Sequence, residues 1–257
     1  MKAIILSAGQ GRRLLPLTEN RPKCLIPLAG RTLIEWQLRN LAAAGVEEAV
    51  VVTGFGAAQV ETALRTIGAP GLAVRTLHNP FYAVADNLGS CWAAREEMDG
   101  EFLLLNGDTL FEVQIAERLI SLAPTSPITL AIDRKAIYDS DDMKVQTEGA
   151  QLVAIGKTLE PEVVDGESIG FLRFTDEGSD SFRDAVVEAM RHPAGLRQWY
   201  LSVVDKLARD AGRVGVMSIE GLAWGEMDFP ADVKRNEKMT REWLRGETGL
   251  GRAAEAG

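Results

Sequence analysis

Two widely separated stretches carry the residues that could do chemistry. Near the start, Gly9 and Gly11 precede Arg13, and Lys23 follows within Pro22-Lys23-Cys24-Leu25-Ile26-Pro27. Glycines let backbone N–H groups close on phosphate oxygens with no Cβ in the way. Arg13 offers a planar, bidentate phosphate clamp and Lys23 a mobile point charge, so the set suits a nucleoside triphosphate. The spacing is not that of a P-loop, because no Lys follows Gly11. Nor is it the dinucleotide fingerprint, whose third glycine would fall at Leu14. Far downstream stand Asp108, in Asn106-Gly107-Asp108, and Asp228, in Trp224-Gly225-Glu226-Met227-Asp228. Either alone reads as a turn or a helix cap. As a pair they suit Mg²⁺, a hard cation that takes one or two carboxylates and completes its shell with phosphate and water.

Strand ends must position these groups. Apolar runs over residues 3–6, 48–53, 72–77 and 102–105 read as strands, and amphipathic stretches over 33–44, 57–67, 88–98 and 111–122 read as helices. This alternation predicts a doubly wound α/β sheet with its ligand at the carboxyl ends of the strands. The signature follows the first strand, and Asp108 follows the fully apolar run over 102–105, as expected in the middle of a parallel sheet. After residue 126 the rhythm breaks into strands over 128–133, 143–147, 152–155, 169–174, 214–219 and 222–225. Helices are predicted over 179–190, 199–211 and 229–245, the last with Pro230 in its first turn. One domain is expected over 1–245, with a nucleotide-binding half (1–126) and an acceptor-binding half that extends the sheet and covers the pocket (127–245). The tail 246–257 is expected to lack structure.

Composition narrows the partners. The chain has 257 residues, is 46% hydrophobic and 25% charged, and carries a net charge of −9. That acidity argues against nucleic acid held through its phosphates, but not against a nucleotide held by a metal and a few local cations. Two cysteines, Cys24 and Cys91, suggest neither a disulfide framework nor a zinc site. The first apolar run, about five residues long, is too short for a signal peptide, and no stretch approaches membrane-spanning length. A cytoplasmic protein without a membrane partner is expected, as a monomer or homodimer.

Gly9-x-Gly11-x-Arg13 joined to Pro22-Lys23-x-Leu25-x-Pro27 resembles the signature of the sugar-phosphate nucleotidyltransferase superfamily. Further runs look like its cytidylyltransferases, which attach CMP to phosphocholine, aminoethylphosphonate or inositol phosphate. These are Asn79-Pro80-Phe81-Tyr82, Asp86-Asn87-Leu88-Gly89-Ser90, Asp142-Met143-Lys144-Val145, Ala154-Ile155-Gly156-Lys157, Glu167-Ser168-Ile169-Gly170-Phe171 and Trp224-x-Glu226-Met227-Asp228. Two departures stand out. Arg12 replaces the Thr or Ser common in the superfamily, and Asn87-to-Ser90 replaces the Gly-Thr-Ala-type segment of the sugar-nucleotide enzymes, which points toward the cytidylyltransferase branch.

The resemblance implies a Rossmann-like, mostly parallel mixed sheet of the nucleotide-diphospho-sugar transferase type with a small β-rich lid. It implies Mg-dependent transfer of CMP from CTP to a small phosphomonoester or phosphonate, phosphocholine being favoured, with release of pyrophosphate. Leu6, Ala8, Gly9, Gly11, Asn87, Ser90 and Asp108 would bind the nucleotide, with Asn87 and Ser90 at the base or ribose. Arg13 would neutralise the departing pyrophosphate, and Lys23 would bridge the α-phosphate and the attacking oxygen. Asp108 and Asp228 would hold Mg²⁺. Lys144, Glu167, Phe171, Trp199, Tyr200, Trp224 and Glu226 would surround the acceptor, the aromatics caging a quaternary ammonium. A polyol phosphate would instead call on Asp139, Asp141 or Glu167. His78 and His192 read as structural. The residues leave cytosine and uracil both open. A sugar-1-phosphate nucleotidylyltransferase using UTP, dTTP or GTP, and a non-catalytic nucleotide-binding subunit, remain the alternatives.

Overall fold

The computed structural model describes residues 1–254, with side chains through 246. β1 (Lys2–Leu6) alternates between the two faces of the sheet, with Ile4 and Leu6 on one side and Ala3 and Ile5 on the other. Two 3₁₀ turns, Arg12–Leu14 and Lys23–Leu25, lead to a hairpin of β2 (Pro27–Leu28) and β3 (Arg31–Thr32). α1 (Leu33–Ala43) then starts on a Thr32 hydroxyl that accepts the Glu35 N–H. β4 (Glu48–Thr53), α2 (Ala57–Leu64), β5 (Ala73–His78), α3 (Asn87–Ala93) and β6 (Phe102–Asn106) continue the expected alternation. β7 (Leu110–Phe111) and α4 (Val113–Ser121) close the first half, and β8 (Ile128–Asp133) opens the second. The second half holds β9 (Lys144–Glu148), β10 (Gln151–Gly156), β11 (Gly166–Phe174), α5 (Asp176–Met190), α6 (Tyr200–Ala211), β12 (Val214–Ser218), β13 (Trp224–Gly225) and α7 (Pro230–Ala254).

Nine strands form one sheet in the order β5-β4-β1-β6-β11-β8-β12-β10-β9. β5, β4, β1 and β6 are parallel, while β11 and β10 run against every strand they pair with. The second half thus extends the sheet of the first. β9 also pairs with β11, so β11, β8, β12, β10 and β9 close into a ring. β9 and β10, in the half expected to cover the pocket, belong to this ring. α1, α2 and α4 cover one face through residues such as Ile34, Leu38, Val60 and Ile115. α3, α5 and α6 cover the other through Leu88, Phe182 and Val204. Among the described residues, no helix is long and apolar enough to cross a membrane.

Several boundaries differ from expectation. The helix predicted over 88–98 stops at Ala93 and passes into a separate 3₁₀ turn, Arg95–Glu97. The helix predicted from Phe111 begins at Val113, because Leu110-Phe111 pairs instead with Trp224-Gly225. The strand predicted over 222–225 keeps only those two residues. α7 runs past the predicted end at Arg245, so the tail expected from 246 falls partly within this helix. Residues 255–257 lie outside the described residues.

A third core cluster fixes the signature segment. Leu14, Ile26, Leu28, Leu33, Trp36, Leu110 and Met227 are buried together, and Val233, Met239 and Trp243 of α7 pack on them. The Trp36 indole donates to the Leu28 carbonyl and meets Trp243 edge-on. The loop bearing Arg13, the turn bearing Lys23 and the stretch bearing Asp228 therefore share one apolar anchor.

Candidate active site

Register brings the two distant carboxylates to the signature. Leu6 of β1 lies opposite Asn106 of β6, so both strands end together and Asp108 emerges beside Ser7-Ala8-Gly9. The Gly107 N–H donates to the Leu6 carbonyl at 3.0 Å. A Cβ at Gly107 would fall 2.5 Å from that same oxygen, so only glycine allows the approach. The pairing of β13 with β7 then lays 226–228 alongside 108–109.

Lys23 is the junction. Its Nζ lies 2.6 Å from Asp108 Oδ2 and 3.0 Å from Asp228 Oδ1. Burial pulls its pKa down, but Asp108 and Asp228 outweigh that and raise it. Gly11 makes room for the lysine: its φ is +73°, and a Cβ there would sit 2.9 Å from Lys23 Cδ. Asp228 is not the cap of α7. Its own N–H and that of Phe229 both donate to Asp232, which leaves the Asp228 carboxylate free for Lys23 and Arg13. Burial alone would raise Asp228, yet Lys23, Arg13 and Lys157 hold it below the usual carboxylate range.

The ammonium lies in one cleft and bonds an aspartate that lines a second. The first, of about 640 Å³, is lined by Leu6, Ser7, Ala8, Gly9, Gln10, Arg12, Lys23, Tyr82, Asn87, Ser90, Asn106 and Asp108, among others. The other, of about 350 Å³, is lined by Asp133, Lys135, Asp139, Asp141, Asp142, Glu167, Trp224, Glu226, Asp228, Phe229, Asp232 and Arg235. Most carboxylates of this second cleft are already engaged. Asp133 accepts the Trp224 indole N–H at 2.7 Å, and Lys135 bonds both Asp142 and Glu167. The Glu226 carboxylate has no hydrogen bond or ion pair among the described residues, while the residue's backbone carbonyl accepts from the Asn236 amide at 2.8 Å. Burial, with Asp108 and Asp228 near by, pushes its pKa up to about 8. Burial likewise raises Glu167 to about 7, against the pull of Lys135.

The predicted site residues divide accordingly. Leu6, Ala8, Gly9, Asn87, Ser90, Asp108 and Lys23 come together at the first cleft, with Gly11 beneath Lys23. Arg13 reaches Asp228 and lies over the Phe229 ring. Glu167, Trp224, Glu226 and Asp228 come together at the second cleft. Phe171 and Tyr200 do not join them: both are fully buried in the core, Phe171 against Phe111 and Tyr200 against Phe182. The expected aromatic cage is therefore not assembled. Trp199 is 44% exposed and faces Lys157, whose Nζ lies 4.9 Å from its ring centre. Lys144 is buried, and its ammonium donates to the Lys157 carbonyl at 2.9 Å, so it faces neither cleft.

Sequence reasoning left Lys157 without a role and placed Asp141 only beside a polyol acceptor. Lys157 follows the apolar strand β10 as Asp108 follows β6, which is the signal that could have found it. Asp141 joins Lys157 at 3.3 Å and Arg13 at 3.4 Å, and so ties three distant segments together over the junction.

A divalent cation fits here on the structure's own terms. Asp108 and Asp228 aim oxygens at one cationic point, and the other Asp108 oxygen, Oδ1, is buried with no partner. No cluster of three or more His, Cys, Asp or Glu suited to a metal occurs among the described residues. Two carboxylates match a cation that draws its remaining ligands from substrate phosphate and water.

A family model described as a MobA-like NTP transferase domain matches residues 3–220. The chain belongs to that family. It is 30% identical over 246 residues to a CMP-5'-(3-aminopropyl)phosphonate synthase of Streptomyces rubellomurinus, covering 91% of this chain and 38% of the relative. It is 27% identical to a bifunctional IPC transferase and DIPP synthase of Aquifex aeolicus, covering 92% of this chain and 51% of the relative. The chain thus spans about half or less of the length of these curated relatives. The fold matches a solved inositol-1-phosphate CTP transferase from T. maritima with a TM-score of 0.78, at 22% identity, covering 93% of this chain and 94% of that one. It also matches a CTP:phosphocholine cytidylyltransferase from Streptococcus pneumoniae with a TM-score of 0.74, at 22% identity, covering 93% and 98%.

Proposed function

We propose that this chain transfers CMP from CTP to a small phosphonate or phosphate ester with a cationic end, in the presence of Mg²⁺, releasing pyrophosphate. The observation that carries this reading is the Lys23 ammonium, bonded at once to Asp108 of the first cleft and Asp228 of the second. A nucleotide in the first cleft and an acceptor in the second would meet at that point. An acceptor oxygen attacks the α-phosphorus in line, and the bond to pyrophosphate breaks with its electron pair. No covalent enzyme intermediate is needed, so catalysis is positioning and charge neutralisation. Lys23 leaves its carboxylates to bridge the α-phosphate and the incoming oxygen, and Arg13 receives the departing pyrophosphate. Lys157, rather than Lys144, supplies the further cation. Mg²⁺ held by Asp108 and Asp228 would neutralise charge on the α-phosphoryl group.

The cationic end follows from the second cleft. Glu226 offers an unpaired carboxyl group beside the Trp224 indole, which an incoming ammonium would draw into its charged form, with Phe229 at the rim. Such a surface suits an ammonium better than a neutral polyol. Since Phe171 and Tyr200 lie in the core, an aminoalkyl phosphonate fits the cleft better than phosphocholine, which would want a ring of aromatics. The relatives named for aminopropylphosphonate, inositol phosphate and choline phosphate support a CTP donor and leave the acceptor to experiment.

The test is pyrophosphate release from CTP, UTP, GTP, ATP and dTTP, each with 2-aminoethylphosphonate, phosphocholine, inositol 1-phosphate and glucose 1-phosphate. Turnover is expected with CTP and an ammonium-bearing acceptor. Turnover of UTP or dTTP with glucose 1-phosphate would replace this reading by a sugar-nucleotide one. Inertness with every pair in Mg²⁺ would leave a nucleotide-binding subunit.

A further inference from the structure

Two side chains of α3 face the nucleotide cleft, and the fold has already used one hydrogen-bonding end of each. Asn87 Oδ1 accepts the backbone N–H of Tyr200 at 2.9 Å, so its amide nitrogen is the end left for the cleft. This orientation follows from chemistry, since a backbone N–H needs an oxygen opposite it. Ser90 is fixed at one remove. Asn79, 1% exposed, turns its Oδ1 to the Phe81 N–H at 2.8 Å, and its Nδ2 therefore donates to Ser90 Oγ at 3.1 Å. The Ser90 hydroxyl accepts from within and finds no acceptor for its own proton among the described residues. Asn87 and Ser90 are three residues apart on one helix, and so share a face.

We infer that Asn79 and the Tyr200 backbone set Asn87 and Ser90 as a pair of donors, and that this pair selects cytosine over uracil. This rests on reading the cleft as a pyrimidine triphosphate site. Cytosine presents two adjacent acceptors, O2 and N3, which two donors satisfy. Uracil carries a proton at N3, which would face a donor and leave a buried polar pair unmade. One such mismatch is worth about 10- to 100-fold in affinity. Asn79 is a positioning residue here: it touches Ser90, and acts on the base only by deciding which way the hydroxyl proton points.

The experiment reads the ratio of CTP to UTP affinity by calorimetry in Mg²⁺, apart from any transfer. The wild-type protein is expected to favour CTP by about 10- to 100-fold. Asn79→Asp keeps an oxygen for the Phe81 N–H and turns the other on Ser90. The hydroxyl proton then swings toward the new carboxylate, lone pairs face the cleft, and the ratio falls toward or below one. The added charge weakens both triphosphates alike and cancels in the ratio. Ser90→Ala should lower the ratio about tenfold. Asn87→Asp, at the half-buried rim, replaces a donor by an acceptor and gives the same fall, should the buried Asn79 variant fail to fold. An unchanged ratio in Asn87→Asp and Ser90→Ala overturns the inference. A wild-type protein that binds CTP selectively yet releases no pyrophosphate with any acceptor overturns the transferase reading and leaves this one standing.

Discussion

At the scale of single residues, the site is a charge balance around one ammonium. Lys23→Met would leave Asp108 without its cation and Asp228 with Arg13 alone, and would remove the bridging ammonium. Its kcat/KM should fall by about 10²- to 10⁴-fold, measured as pyrophosphate release, with the fold kept by circular dichroism. A variant within a factor of a few of wild type would remove Lys23 from the reaction. Glu226→Gln keeps the shape of the acceptor cleft but loses its one unengaged carboxylate. It should raise the KM for an ammonium acceptor about tenfold or more while leaving the KM for CTP near its wild-type value. Equal changes in both would deny Glu226 a place at the acceptor. Gly9, Gly11, Arg13, Lys23 and the two aspartates were legible in the sequence because local spacing and strand ends announce them. The aromatics were not. Whether Phe171 or Trp224 meets a ligand depends on which neighbours cover it: Phe171 packs on Phe111, while Trp224 sits on a two-residue strand at the mouth of a cleft. The tie between Asp141 and Arg13 was hidden for a similar reason, since the two are 128 positions apart in the chain.

At the scale of elements, the strands end where the chemistry is, and the connecting turns are held open by glycine. Gly11→Ala would force an L side chain to φ +73° and push its Cβ against Lys23. A loss of about 1–2 kcal/mol in denaturant unfolding is expected, with a fall in turnover larger than the stability loss explains, because Lys23 is the group displaced. Wild-type turnover in that variant would show that the lysine finds its place without the glycine. The β–α alternation of the first half was readable because each apolar run is long enough to show its period. β7 was not, since two residues have no period, and β13 was read two residues too long. The closure of β9 onto β11 depends on a long-range pairing that no local pattern encodes.

At the scale of the whole molecule, stability should carry the mark of the acceptor cleft. Glu167 is held near 7, above its ordinary 4.5. Its contribution to stability is then fully present below about pH 4.5 and is lost as pH rises to about 7. Thermal melts between pH 5 and pH 8 should show a decline in wild type that Glu167→Gln reduces; parallel curves for the two proteins would mean that Glu167 titrates normally. The closed ring of strands has a separate consequence. It leaves the nine-stranded sheet a single open side, β5, since β9 is paired on both of its flanks. β5 carries Arg75, whose side chain is pinned by Glu48 of the neighbouring β4 and by Glu97, so a charged cluster lies against this edge strand. A charged edge of this kind discourages strand-to-strand aggregation. The protein has one such border to defend where an open sheet of the same size would have two.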